Sequence, residues 1–129
     1  MVVIDTNVLV RLIAQDDPAQ TARALHLIES EKVLIPLTVL LETEWVLRRL
    51  TGISPESTLR LLQGVVGLPN VTVEKPERLT FALDLATAGM DFADALHLSA
   101  LQDGDRFATF DRAMIRTAQR MGVGAVFSP

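Results

Sequence analysis

Short β-type runs alternate with longer helical patterns along the chain, and this alternation restricts the fold more than any other feature of the sequence. Strands that alternate with helices favour a parallel sheet with helices on both faces. The second run is apolar at every position, as expected of a strand buried on both faces. The predicted strands are residues 2–4, 33–35, 71–73, 107–109 and 125–127.

Capping residues and apolar periodicity define the predicted helices between these strands. Asp17 with Pro18, and Ser54 with Pro55, form N-cap and N1 pairs, whereas Gly52 ends a helix. The predicted helices are residues 7–14, 18 to about 30, 38–50, 55 to about 64, 76–88, 91 to about 102 and 111–121. Because the sequence contains no repeat, low-complexity tract or linker, we predict a single domain over residues 1–129.

Composition excludes several classes of protein. Apolar residues make up 49% of the chain, which predicts an ordered core. The longest apolar stretch, residues 33–41, is broken by Pro36 and Thr38 and is shorter than the roughly 20 residues of a membrane span. With no basic leader and no cysteine, we expect a cytoplasmic protein.

The net charge of −4 is compatible with a nucleic-acid substrate once the acids are divided into two sets. If five of the 16 acids form a metal cluster, eleven acids remain against twelve bases. Ten of those bases are arginine, which binds phosphate better than lysine does.

Four acids are hard to explain by solubility alone, namely Asp5, Glu42, Asp94 and Asp111. Asp5 and Asp111 follow predicted strands, and ligands collect at the carboxyl ends of strands in α/β sheets. Asp94 lies among apolar residues of a predicted helix. Clustered carboxylates repel one another unless a cation binds between them. The alternative for Asp5 and Asp111 is a helix N-cap.

Helix phase distinguishes the two glutamates of the third predicted helix, which lie about 200° apart. Glu42 shares a face with Val39 and Trp45, and we expect this face to be packed. We expect Glu44 to be solvated or paired with Arg48 one turn later. Surface placement of both glutamates is the alternative.

Asp91, Asp94 and His97 are spaced i, i+3 and i+6, which is roughly one stripe of a helix. Asp91 is either an additional ligand or a helix cap. A lone histidine in an apolar helix is more often a hydrogen-bonded core residue than a ligand, so His97 would at most support the ligands. A site built only from carboxylates favours Mg²⁺ or Mn²⁺ over zinc, and these ions commonly serve phosphate chemistry.

The order and spacing of these motifs resemble the PIN domain family, and specifically its VapC-type toxins. The resemblance lies in residues 3–10, 41–47, 91–98 and 109–111 and so spans the chain. The family's principal acids correspond to Asp5, Glu42, Asp94 and Asp111, and none is missing. The resemblance implies a three-layer α/β/α fold with a parallel five-stranded sheet in the order 3-2-1-4-5.

The resemblance also implies a function: a metal-dependent endoribonuclease, the toxin of a type II toxin–antitoxin pair. Such an enzyme hydrolyses phosphodiester bonds of structured RNA, tRNA or rRNA, with a metal-activated water. Implied partners are a second copy of the chain and a cognate VapB-type antitoxin. The hypothesis assigns Mg²⁺ or Mn²⁺ to the four acids, ligand orientation to Thr6, Asn7 and Thr109, and RNA-backbone contacts to Arg112, Arg116 and Arg120, which share one helical stripe.

Other readings of these residues remain open. A haloacid-dehalogenase-like phosphatase would need an Asp at position 7 and a Thr at position 9, where this chain has Asn7 and Leu9. A receiver domain would need a lysine in the last strand, and residues 125–129 contain none. A metal-free ribonuclease could use His26 and His97. A catalytically inert PIN-like module that binds RNA or protein is the non-enzymatic alternative.

The sequence also leads to expectations about the environment of the three arginines and of six leucines. A solvated helix face is the alternative for the three arginines. Six leucines offer more apolar surface than one small sheet needs, and we expect part of that surface to serve a partner. They are Leu37, Leu40, Leu41, Leu47, Leu59 and Leu62.

Overall fold

A computed structural model describes residues 1–129 and shows an α/β protein with seven helices and five short strands. The strands are β1 (Val2–Val3), β2 (Val33–Ile35), β3 (Val71–Val73), β4 (Phe107–Ala108) and β5 (Val126–Phe127). The helices are α1 (Thr6–Ala14), α2 (Pro18–Ser30), α3 (Leu37–Arg49), α4 (Pro55–Val66), α5 (Pro76–Thr87), α6 (Phe92–Leu98) and α7 (Arg112–Arg120). None of these helices combines the length and apolar character that a membrane span requires.

The chain divides into two compact units, Met1–Pro76 and Glu77–Pro129. The first unit contains a parallel sheet in which β2 lies between β1 and β3. Val33 and Ile35, on one face of β2, are fully buried and Leu34, on the other face, is half-buried, so the predicted burial of this strand is confirmed for one face only. Helix α1 packs against α2 and α3, and α3 also packs against α4.

Local capping explains where the helices of the first unit begin. The Asp17 carboxylate accepts the Gln20 amide at 3.1 Å, and the Ser54 hydroxyl accepts the Ser57 amide at 3.2 Å. Each cap satisfies a backbone donor that the first helical turn leaves unpaired. The predicted starts of α2 and α4 are therefore confirmed.

The leucines of the first unit form its core. Leu37, Leu40, Leu47, Leu59 and Leu62 are buried, and Leu41 is half-buried. Burial of each such side chain stabilises the folded chain by about 1.5–3 kcal/mol. Five of the six leucines are thus already buried within the chain, and the expectation that part of this apolar surface serves a partner stays a prediction.

The second unit contains the parallel pair β4–β5 with helices α5, α6 and α7. Phe107 pairs with Val126, and Ala108 pairs with Phe127. The Arg106 guanidinium lies 4.0 Å from the centre of the Phe127 ring, a distance at which a cation is attracted to the face of an aromatic ring. Helix α7 packs against β5.

Helix α6 ends at Leu98, about four residues earlier than predicted. The Leu96 carbonyl oxygen accepts the Ser99 hydroxyl at 2.5 Å and the Arg78 guanidinium at 3.2 Å. Arg78 also donates to the Ser99 hydroxyl at 3.0 Å. These donors satisfy a carbonyl at the helix end, so a further helical turn is not needed to pair it.

The prediction of one five-stranded sheet is corrected by the structure, which has a three-stranded and a two-stranded sheet. Within each sheet the neighbours follow the predicted order, β3-β2-β1 and β4-β5. Strand β1 spans two residues, and the amides of Val2 and Ile4 both donate toward β2. Val3, whose amide is not one of these two donors, is 59% exposed.

Candidate functional site

Asp5 lies two residues after the end of β1 and is the N-cap of α1. Its Oδ1 accepts the Thr6 amide at 2.7 Å, and its other carboxylate oxygen accepts no hydrogen bond from the protein. The Thr6 hydroxyl is buried without a partner, so the contact between Thr6 and the Asp5 carboxylate is made by the backbone amide. Asn7 is exposed and lines an open pocket of about 550 Å³ between α1 and α2.

The two glutamates of α3 are placed opposite to the helix-phase prediction. Glu44 is 3% exposed, whereas Glu42 is exposed and Trp45 is 48% exposed. The predicted pairing of Glu44 with Arg48 is confirmed by an ion pair. The packed face instead follows Leu40, Thr43, Glu44 and Leu47, and the partner one turn later lets the Glu44 carboxylate enter it. Choosing Glu42 as a ligand therefore depends on the family resemblance alone.

Three predicted acids of the second unit are in electrostatic reach of one another. Asp91 is the N-cap of α6 and accepts the Asp94 amide at 3.2 Å. Burial raises the pKa of Asp94, the carboxylates of Asp91 and Asp111 raise it further, and His97 lowers it. The Asp94 carboxylate accepts no hydrogen bond from the protein and is half-buried. Its charged form is therefore disfavoured unless a cation approaches it.

Asp111 is the N-cap of α7, three residues after the end of β4. Its Oδ1 accepts the Met114 amide at 3.0 Å, and its own amide donates to the Thr109 hydroxyl at 3.0 Å. The predicted role of Thr109 in orienting Asp111 agrees with this contact. The second oxygen of Asp111 accepts no hydrogen bond from the protein and so has free lone pairs for a ligand.

The histidine and arginines predicted for the site are all exposed. His97 lies on the exposed side of α6, which makes the core-histidine interpretation wrong, and it acts on Asp94 through its charge. Arg112 and Arg116 form no ion pair, and Arg120 donates to the Thr117 hydroxyl at 3.3 Å. The buried face of α7 is formed by other residues, so the arginine stripe faces solvent.

Sequence reasoning missed two residues beside these acids. Arg78 holds the end of α6 through contacts that span 18 and 21 residues, and no local pattern signals such contacts. Phe110 follows the predicted fourth strand, and its side chain is 80% exposed. The one feature of the sequence that indicates a role for Phe110 is its position between the predicted site residues Thr109 and Asp111.

The donor chemistry suits a hard divalent cation, although no group of three or more His, Asp or Glu side chains in residues 1–129 is arranged to hold one. Carboxylate oxygens are the ligands that Mg²⁺ and Mn²⁺ prefer. Asp94 has no hydrogen-bond partner and a raised pKa, and Asp5 and Asp111 each keep one free oxygen. Helix N-termini offset part of the charge of Asp5, Asp91 and Asp111, because backbone amides point at them.

No curated protein matches the chain. The sequence model of the PIN domain family matches residues 2–120 and thus includes all four predicted acids. Because this match covers most of the sequence, the chain belongs to the PIN domain family.

Proposed function

We propose that this chain is a Mg²⁺- or Mn²⁺-dependent endoribonuclease of the VapC type. PIN domains are generally nucleases, and they usually depend on divalent metal ions. The observation that carries the proposal is the half-buried Asp94 carboxylate, whose pKa is raised by burial and by two neighbouring acids. Such a carboxylate is costly for the fold and useful as a ligand, which is the pattern expected of functional sites.

The proposed metal ligands are Asp5, Glu42, Asp94 and Asp111. A bound divalent ion supplies an activated water and stabilises negative charge on phosphoryl oxygens. The protein's own contribution is to hold the ligands still. The Thr6 amide orients Asp5, and Thr109 binds the backbone of Asp111. Asp91, which caps α6, sets the start of the helix that carries Asp94.

The proposed substrate is structured RNA such as tRNA or rRNA. Support comes from the exposed arginines of α7, which can contact phosphates in a sequence-independent way. We further propose that the chain is the cytoplasmic toxin of a type II toxin–antitoxin pair, that it acts as a homodimer, and that a VapB-type antitoxin blocks it. These partners follow from the subtype of the family that the motifs resemble.

The experiment that tests the proposal compares two helix N-caps. Asp5→Asn and Asp17→Asn both replace a capping aspartate by asparagine, which caps equally well. With Mn²⁺ and host RNA, sequencing of 5′ ends should show defined cuts for the wild type and Asp17→Asn, and none for Asp5→Asn. EDTA should abolish the cuts. Full activity of Asp5→Asn would refute the assignment.

Product chemistry separates this mechanism from the metal-free alternative that uses His26 and His97. Attack by the ribose 2′-hydroxyl would leave a 2′,3′-cyclic phosphate, whereas hydrolysis by water would not. Both histidines are exposed, so neither is prepared by burial for this role. Resistance of cleavage to EDTA together with a cyclic product would favour the histidine mechanism.

The second candidate function is an inert PIN-like module that binds RNA or protein. Two observations favour it: three of the predicted acids are already helix N-caps, and no ready metal-binding group is present. This candidate expects RNA binding that Mn²⁺ leaves unchanged and no cleavage of any RNA. Cleavage by the wild type that is lost in Asp5→Asn would exclude it.

A further inference from the structure

Phe110 has the most exposed large apolar side chain of the protein, at 80%. It lies between Thr109 and Asp111, in the two-residue link that follows β4. An aromatic ring left in water gives up the burial energy that its size would otherwise provide. The Phe110 ring therefore contributes little burial energy to folding, and that energy is available to a ligand that covers the ring.

The backbone around Phe110 is held in place on both sides. The Asp111 amide donates to the Thr109 hydroxyl at 3.0 Å, and this hydrogen bond joins the two residues that flank Phe110. Asp111 in turn caps α7 through the Met114 amide. A ring on a fixed turn loses less conformational entropy on binding than one on a mobile loop.

The helix that follows Phe110 provides positive charge. Arg112 and Arg116 are exposed and form no ion pair. They lie one turn apart, about 6 Å along the helix axis. Met114 and Ala118 pack inward on the opposite face, so both guanidinium groups are free to meet phosphates.

We propose that Phe110 stacks on an unpaired RNA base beside the phosphate that is cut, while Arg112 and Arg116 contact the flanking backbone. This inference rests on the proposed ribonuclease function, in which Asp111 is a metal ligand. An aromatic platform beside basic side chains is the combination that binds single-stranded nucleic acid. Because bases of a duplex already stack on one another, Phe110 selects a loop or an end of a structured RNA.

The test measures binding in EDTA, so that hydrolysis plays no part. The probes are a fluorescein-labelled RNA hairpin with an unpaired loop and a fully paired duplex of the same length. Phe110→Ala should weaken hairpin binding by about 5- to 150-fold, the range that one lost stacking contact gives, and leave duplex binding nearly unchanged. Phe110→Trp should keep hairpin binding.

Two further variants make the result specific. Phe110→Leu keeps an apolar side chain but removes the aromatic face, and it should bind as weakly as Phe110→Ala. Phe81→Ala is the matched control, since Phe81 is a second exposed phenylalanine, 40% exposed on α5. It should bind the hairpin like the wild type.

Three outcomes would overturn the inference. They are hairpin binding unaffected by Phe110→Ala, full binding by Phe110→Leu, and a change of oligomeric state in Phe110→Ala, which would make the ring a contact between copies. Failure of the proposed nuclease function looks different, because a chain that cuts no RNA can still show the expected binding series.

Discussion

Helices α3 and α6 each withdraw a carboxylate from water, but they treat its charge in opposite ways. Glu44 of α3 is 3% exposed and pairs with Arg48 of the same helix. Asp94 of α6 is half-buried, accepts no hydrogen bond and lies near two other acids. Helix α3 thus carries its own counter-ion, whereas α6 leaves its charge uncompensated.

This contrast separates a structural carboxylate from a candidate functional one. A buried acid with a cation one turn away is accounted for by the fold. A buried acid whose neighbours are also acids raises the energy of the folded state, and it persists where function needs it. The two helices therefore predict opposite responses to the same kind of substitution.

The largest expected effect is on catalysis by Asp94→Asn. Loss of outer partners of metal ligands typically costs about 10- to 100-fold, and loss of a ligand should exceed about 100-fold. Glu44→Gln, corrected for its folded fraction, should cut RNA within a few-fold of the wild type. The measurement is the initial rate of RNA cleavage with saturating Mn²⁺. Equal losses of cleavage rate in both variants would contradict the distinction between a functional Asp94 and a structural Glu44.

The second effect concerns stability, and here Glu44 should matter more than Glu42. Glu44→Gln removes the carboxylate charge that is paired with Arg48 and should lower the free energy of unfolding by about 2 kcal/mol. This is below the roughly 3–5 kcal/mol of fully buried pairs, because the Arg48 side chain is 20% exposed. Glu42→Gln, on the exposed side of the same helix, should change stability by less than about 0.5 kcal/mol. Urea unfolding measures both, and a larger loss in Glu42→Gln would contradict the observed packing of α3.

A smaller effect is expected at Arg78, which holds the end of α6. Arg78→Ala leaves the Leu96 carbonyl and the Ser99 hydroxyl each with one donor fewer and should lower the free energy of unfolding by about 1–2 kcal/mol. Arg60→Ala is the control, because Arg60 also donates to a serine hydroxyl but on an exposed helix face. Its cost should stay below about 0.5 kcal/mol. Equal costs in urea unfolding would show that the contacts at α6 add nothing.

The smallest effect is the pH dependence of stability without metal. The raised pKa of Asp94 means that the folded state binds more protons than the unfolded state in the window between the ordinary aspartate pKa of 3.8 and the raised pKa. Stability should therefore fall as pH rises through that window, and the penalty is complete above the folded-state pKa. Asp94→Asn should be more stable than the wild type at pH 7, with the gain lost below about pH 4.

Metal provides the matching measurement for the same residue. Mn²⁺ that binds only the folded chain should raise the melting temperature of the wild type and not that of Asp94→Asn. If the wild type is at least as stable as Asp94→Asn at pH 7, the Asp94 carboxylate does not destabilise the folded state.

Local signals predicted much of the fold. The caps at Asp17 and Ser54 determine where α2 and α4 begin, and a cap acts within three residues of itself. The buried run of β2 was recognised from its composition. The candidate acids were chosen from strand ends and apolar surroundings, and their roles as metal ligands stay a prediction.

Features set by neighbours in the chain could be predicted without a structure: the capped helices, the central strand β2 and the pairing of Glu44 with Arg48. Tertiary packing decides which glutamate of α3 is buried, because α1 and α4 both contact that helix. It also decides where α6 ends, through an arginine 18 residues away, and that the strands form two sheets. Such contacts join residues that are distant in the chain, and helical periodicity, which is a local pattern, cannot predict them.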